Sequence, residues 1–201
     1  MSSTVSNHLA SHWCLDPSVT FLNHGSFGAC PRIVIEAQQR YRDMLEAEPV
    51  RFFECEALPL MDKARAELAG LIGADANDLA FVSNATTGVN CVVRSLRFEK
   101  GDEILTTDHA YNACNNVLSY VARREGAKVV TASIPFPLQS PQQAIDAIVQ
   151  CVSPRTKLAM IDHITSPTGL VLPIQTIGDE LQSPGVEVRG DRAPAPGTAR
   201  L

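Results

Sequence analysis

Lysine is scarce in this chain of 201 residues, which has only Lys63, Lys100, Lys128 and Lys157. Lysine and arginine together number 17 against 22 aspartates and glutamates, for a net charge of -5, and no basic stripe runs along any segment. Nucleic-acid binding draws its affinity from clustered cations on phosphates, so this composition argues against a nucleic-acid partner. Long apolar runs are lacking too. Stretches such as Lys157-Leu-Ala-Met-Ile161 are strand-sized, well short of the roughly 20 residues of a membrane span, and Met1 to His8 carries neither the charged nor the apolar region of a signal peptide. The cysteines, Cys14, Cys30, Cys55, Cys91, Cys114 and Cys151, include no C-x-x-C pair, which favours free thiols over a disulfide framework or zinc site and fits a cytoplasmic protein. Neither a G-x-x-x-x-G-K phosphate loop nor a G-x-G-x-x-G dinucleotide turn occurs.

What is present is a globular composition, 45% apolar and 19% charged, able to bury a sizeable core. Residues 1–56 read as an arm with a glycine-containing loop, Thr20 to Pro31, and a helix over Arg32 to Glu46 that Pro49 closes. From Ala57 an amphipathic helix runs to about Ile72 on the spacing Leu60, Ala64, Leu68, Leu71, with Gly73 as its C-cap. A strand is expected at Leu79–Ser83 and a helix after Asn84. Strands at Glu103–Thr107, Lys128–Ser133 and Leu158–Ile164 then alternate with helices at Tyr111–Arg124, Pro141–Cys151 and Pro173–Leu181. This alternation predicts an α/β fold, a mainly parallel sheet flanked by helices, over residues 57–201.

In such sheets ligands bind beyond the carboxyl ends of the strands. Three junctions there are rich in polar groups. Ser83-Asn-Ala-Thr-Thr-Gly88 puts hydroxyls at a helix N-terminus, either as an anion site or as a plain N-cap by Asn84 or Thr86. Asp108-His-Ala-Tyr111 offers His109 or Tyr111 to lie against a flat heteroaromatic ring. Asp162-His-Ile-Thr-Ser-Pro-Thr-Gly169 supplies the hydroxyls of Thr165 and Ser166. The two Asp-His pairs lack compact metal-ligand spacing and fit an organic anion better than a metal.

Phe21-Leu-Asn-His-Gly-Ser-Phe-Gly28, Pro49-Val-Arg-Phe-Phe53, Asn84-Ala-Thr-Thr-Gly-Val-Asn90, Asp108-His-Ala-Tyr111 and His163-Ile-Thr-Ser-Pro-Thr-Gly169 together resemble the class V aminotransferase group of fold-type I pyridoxal-phosphate enzymes, in its isopenicillin N epimerase-like branch. The resemblance runs from about Val19 to Gly197. It implies pyridoxal 5'-phosphate as cofactor, an amino-acid substrate, epimerase, carbon-sulfur lyase or transaminase chemistry, and a homodimer. By position it implies that Ala85 and Thr86 hold the cofactor phosphate, that His109 or Tyr111 stacks on the ring, and that Ser166 helps hold it. Asp191 would pair with the pyridine nitrogen, with Asn23, His24 and Arg51 near the substrate.

The chain also departs from that pattern. Arg189-Gly-Asp-Arg-Ala-Pro194 stands where relatives carry an apolar strand followed by Asp-Gly-Ala, and Pro194 removes a side chain that would reach the cofactor. Gly185 to Leu201 is therefore expected to dock poorly. None of the four lysines occupies the Schiff-base position, so no catalytic residue is assigned. The expectation is an incomplete N-terminal portion of a family member that lacks the small C-terminal domain and is inactive alone. Two alternatives stand beside it: a noncatalytic fragment or degenerate paralogue that keeps a dimer surface, and an unrelated binding module for a phosphorylated ligand.

Overall fold

The computed structural model describes residues 8–196. They fall into two compact units that part between Leu79 and Ala80.

The first unit is helical. Its elements are a 3-10 turn at His8–His12, α1 (His24–Phe27), α2 (Arg32–Ala47), α3 (Pro49–Arg51), a π-helical turn at Phe52–Glu56 and α4 (Ala57–Ile72). Pro49 ends α2 as expected and also begins the next helix, where a missing N–H costs nothing. The Glu48 carboxylate accepts the Arg51 N–H at 2.6 Å to cap that start. Helix α4 has the predicted bounds and closes on Gly73, whose φ of 69° is the left-handed C-cap geometry that disfavours a Cβ. It packs on the π-helical turn before it, so the first unit takes in α4 rather than ending near residue 56.

The second unit is a four-stranded parallel sheet in the order β2-β1-β3-β4, built from β1 (Glu103–Thr107), β2 (Lys128–Ala132), β3 (Thr156–Asp162) and β4 (Glu187–Asp191). Helices α5 (Ala85–Ser95), α6 (Asn112–Glu125), α7 (Pro141–Val149) and α8 (Ile174–Gln182) cover it. One face packs Ile104, Leu158 and Met160 against Val89 and Val93 of α5 and Cys114, Val117, Leu118 and Val121 of α6. The other packs Leu105, Ala159 and Ile161 against Ile145 and Ile148 of α7 and Ile177 and Leu181 of α8. The 3–4 residue spacing on each helix and the unbroken buried run Leu158-Ala-Met-Ile161 in β3 are what a parallel sheet covered on both faces demands.

Two expectations need correction. Leu79–Ser83 is not a strand. It has no sheet neighbour among the described residues, and Phe81 and Val82 stay about half exposed, so strand-forming composition lacks the pairing that would make a strand of it. Gly185 to Asp191 is not loosely docked either. All five residues of β4 pair in register with β3, while Val186 and Ala195 are buried. The arginine and glycine fit because β4 is an edge strand among the described residues: Arg189 is half exposed and pairs with Glu187, and Gly190 lies against Ile174. The final residues, 197–201, lie outside the described part.

Candidate functional site

Because all four strands run parallel, Thr107, Ala132, Asp162 and Asp191 end at one edge of the sheet. The N-terminus of α5 opens beside that edge. Asn84 is its cap: its Oδ1 accepts the Thr87 N–H at 2.8 Å and the Thr87 hydroxyl at 3.1 Å, while its carbonyl takes the Gly88 N–H at 3.1 Å. The N-cap reading of Asn84 is therefore correct, yet the cap does not take up every N–H group of the terminus. The cap consumes Thr87 and Gly88, whereas the N–H groups of Ala85 and Thr86 have no acceptor within the helix and point out of its positive end. Ala85 and Gly88 share a cleft of about 270 Å³ with Val89, Met160 and Asp191.

Asp191 closes β4. Its Oδ1 accepts the Ala193 N–H at 3.0 Å and its Oδ2 accepts the Cys114 thiol at 3.6 Å. Burial, together with Asp191, raises the Cys114 pKa to about 12, so the thiol stays protonated and acts as a donor. Across the strand pair stands Asp162, the register partner of Asp191. Its Oδ2 accepts the Tyr111 N–H at 3.0 Å, which fixes the start of α6, and its Oδ1 is buried with no partner. Burial pushes the Asp162 carboxyl up to about 6; the Tyr111 N–H opposes that shift and the charge of Asp191 adds to it. His163, next along the chain, also has a buried Nδ1 without a partner; burial and then the charge of Arg192 hold its pKa down.

His109 is buried. Its Nδ1 and the Thr168 hydroxyl are 2.8 Å apart, Thr168 meets the Thr165 hydroxyl at 2.7 Å, and Thr165 Oγ1 accepts the Leu170 N–H at 2.9 Å. The loop from Thr165 to Leu170 is thus tied to the loop after β1, with Phe136 tilted against the imidazole at 6.0 Å. Asp108 serves the neighbouring strand by accepting the Ile134 N–H and the Ser133 hydroxyl. Burial pushes its pKa up, but those bonds and His109 more than offset this and hold it low. No group of three His, Cys, Asp or Glu side chains among the described residues is arranged to hold a metal ion.

Of the residues picked out from sequence, Ala85 and Asp191 line one cleft. Tyr111 joins them through Asp162, His109 is anchored at the same edge, and Ser166 is exposed on the loop that His109 ties down. Asn23, His24 and Arg51 belong to the first unit, where the His24 ring meets Phe21 edge-on at 4.7 Å and Arg51 pairs with Glu56 at 3.0 Å. Asp162, Cys114 and Thr168 carry much of this geometry and were not assigned roles from sequence. A carboxylate ending the apolar run of β3 was the signal for the first. Lys128 and Lys157 stand at the opposite edge; from Lys157 to Asp162 along β3 is roughly 16 Å.

The family model for aminotransferase class-V matches residues 20–199. The chain belongs to the class V aminotransferase family. Among members of this family, isopenicillin N epimerase of Streptomyces clavuligerus is 39% identical over 183 residues, which is 91% of this chain and 46% of that protein. A probable chloroplastic L-cysteine desulfhydrase of Arabidopsis thaliana is 30% identical over 200 residues, 92% of this chain and 42% of the other. The cystine C-S lyase C-DES, solved with its product cysteine persulfide, superposes with a TM-score of 0.82 at 27% identity and covers 90% of this chain and 49% of its own. Another C-DES structure, of a mutant with glycine covalently linked to its PLP cofactor, matches equally well. The chain spans about half the length of the relatives it matches.

Proposed function

We propose that the chain supplies the cofactor-binding portion of a pyridoxal-phosphate enzyme that acts on an amino acid by epimerase, carbon-sulfur lyase or transaminase chemistry. The carrying observation is the cleft that holds the free helix terminus of α5 and the Asp191 carboxylate together. A ligand with a phosphate at one end and a protonatable ring nitrogen at the other matches those two groups, and the unpartnered buried oxygen of Asp162 on the neighbouring strand adds negative charge beside Asp191. In this reading Ala85 and Thr86 N–H groups bind the phosphate, Asp191 keeps the ring nitrogen protonated, and His109 or Tyr111 lies on the ring. Ser166 reaches a ring substituent. Bound, the cofactor supplies an electron sink for the substrate's α-carbon. The bond from the Tyr111 backbone N–H fixes the Asp162 carboxylate and the start of α6, and the His109–Thr168 bond fixes the imidazole, before the ligand arrives.

The lysine distribution favours a second reading, in which this chain binds the cofactor reversibly without turning a substrate over. We further propose a cytoplasmic homodimer. Large exposed apolar side chains in the first unit, among them Leu22, Phe27, Ile33, Val50 and Leu71, support the assembly, and six unpaired cysteines suit a reducing compartment. No helix among the described residues is long and apolar enough to cross a membrane. Titration with pyridoxal phosphate, followed by absorbance and competed with inorganic phosphate, tests the site. Saturable binding is expected, weakened at least about ten-fold by Asp191→Asn, the scale of one charge-assisted pair. Absence of binding, or indifference to Asp191→Asn, overturns it.

A further inference from the structure

Asp191 lines the cleft, and a second carboxylate, that of Asp162, stands beside it on the neighbouring strand. Asp162 and Asp191 are register partners on neighbouring parallel strands, so their side chains leave the same face of the sheet, and both reach α6: Asp162 through the Tyr111 N–H and Asp191 through the Cys114 thiol. Their remaining oxygens differ. Asp191 Oδ1 is taken by the Ala193 N–H, whereas Asp162 Oδ1 is buried and has no partner. The spare acceptor capacity of the pair therefore lies on Asp162, only 3% exposed. Such an oxygen in the protein interior costs free energy until a proton or a positive charge satisfies it.

We propose that Asp162 is a positioning residue for the ring nitrogen, acting through Asp191: its ionised carboxylate adds a second negative charge behind Asp191 and strengthens the hold on a protonated pyridine ring. This rests on the reading of Asp191 given above. The groups facing Asp162 are the Tyr111 N–H and the Cys114 thiol from α6 and the Asp191 carboxylate from β4; His163 and Arg192 flank it in the loops. Burial first, and the charge of Asp191 after it, raise the Asp162 carboxyl to about 6, so it is ionised in neutral solution and protonated in mild acid. The proton balance is simple. In mild acid, a ring that docks unprotonated takes the proton of Asp162 and one that docks protonated displaces that proton to water; in neutral solution Asp162 is already ionised, so the ring brings its own proton or takes one from water.

The test uses the whole chain and pyridoxamine 5'-phosphate, a probe that needs no lysine, with calorimetric titration of the native protein, Asp162→Asn and Asp191→Asn. The carboxamide keeps the size of Asp162 and an acceptor for the Tyr111 N–H but carries no charge. Asp162→Asn is expected to weaken binding roughly ten-fold at about pH 7.5 and less than about two-fold at about pH 5, the scale of a unit charge about 10 Å away in a partly wet site. An equal loss at both pH values, which a merely structural role would give, or no loss at either, overturns the proposal. If Asp191→Asn binds like the native chain, or the native chain does not bind, the reading of Asp191 itself fails. A ligand-free arm still decides whether the two carboxylates act on each other: a carbon-13 NMR titration of the Asp162 carboxyl should shift to lower pH when Asp191 becomes Asn. A midpoint that does not move refutes the coupling and with it the proposal.

Discussion

Asp162→Asn should make the stability of this protein less dependent on pH, and the native structure sets the size of the effect. In the unfolded chain the carboxyl titrates at its ordinary 3.8; in the fold, burial raises it to about 6. Between those values the native state holds a proton that the unfolded state has released, so stability falls as pH rises through the window. Below 3.8 both states are protonated and the group costs nothing; above 6 the native state carries a buried anion whose outer oxygen is unsatisfied. A shift of about two units corresponds to roughly 3 kcal/mol. Asparagine keeps the acceptor for the Tyr111 N–H and removes the titration. Urea unfolding followed by far-ultraviolet circular dichroism, from about pH 4 to about pH 7.5, reads the difference between the two proteins at each pH and cancels the titrating groups that do not interact with Asp162. The native protein should lose roughly 2 kcal/mol against the variant across that range, with the change centred near pH 5. A difference that stays constant with pH, or that moves in favour of the native protein as pH rises, refutes the reasoning.

Asn84→Ala removes the acceptor of the Thr87 N–H and hydroxyl and should cost about 1 kcal/mol in thermal denaturation, while Asn84→Asp, which keeps the cap, should cost less. Leu118→Ala empties a fully buried position between α6 and the sheet and should cost about 2–5 kcal/mol in urea unfolding. Borohydride treatment in the presence of pyridoxal phosphate, followed by peptide mapping, should give scattered substoichiometric labelling of the four lysines. Lys128 or Lys157 labelled to completion would contradict their placement at the edge away from the site.

The elements most legible in sequence were those that local chemistry decides. Ala57 to Ile72 carries its own periodicity and its own stop at Gly73; β1 and β3 announce themselves as apolar runs in an alternating frame. Elements that owe their state to a partner were misjudged in both directions. Leu79–Ser83 has strand composition but no neighbour among the described residues, and Glu187–Asp191 has poor composition but a complete register with β3. The site divides the same way. The helix terminus after Ser83 and Asp191 at the end of β4 could be located along the chain. The bond from His109 to Thr168 spans 59 residues and the meeting of Asp162 with Asp191 depends on strand register, so neither could be located from spacing.

The position of β4 at the end of the order β2-β1-β3-β4 also sets a sequence of events in biosynthesis. A chain emerging from its amino end releases β1, α6, β2 and β3 first, and these already make a sheet with one packed face before residue 187 exists outside the ribosome. Asp162 can take hold of the Tyr111 N–H at that stage, but the Cys114 thiol must wait for Asp191. Nascent protein therefore passes through a stage with the start of α5 in place and Asp191 still missing, and only when β4 pairs with β3 does the cleft between them gain its second wall.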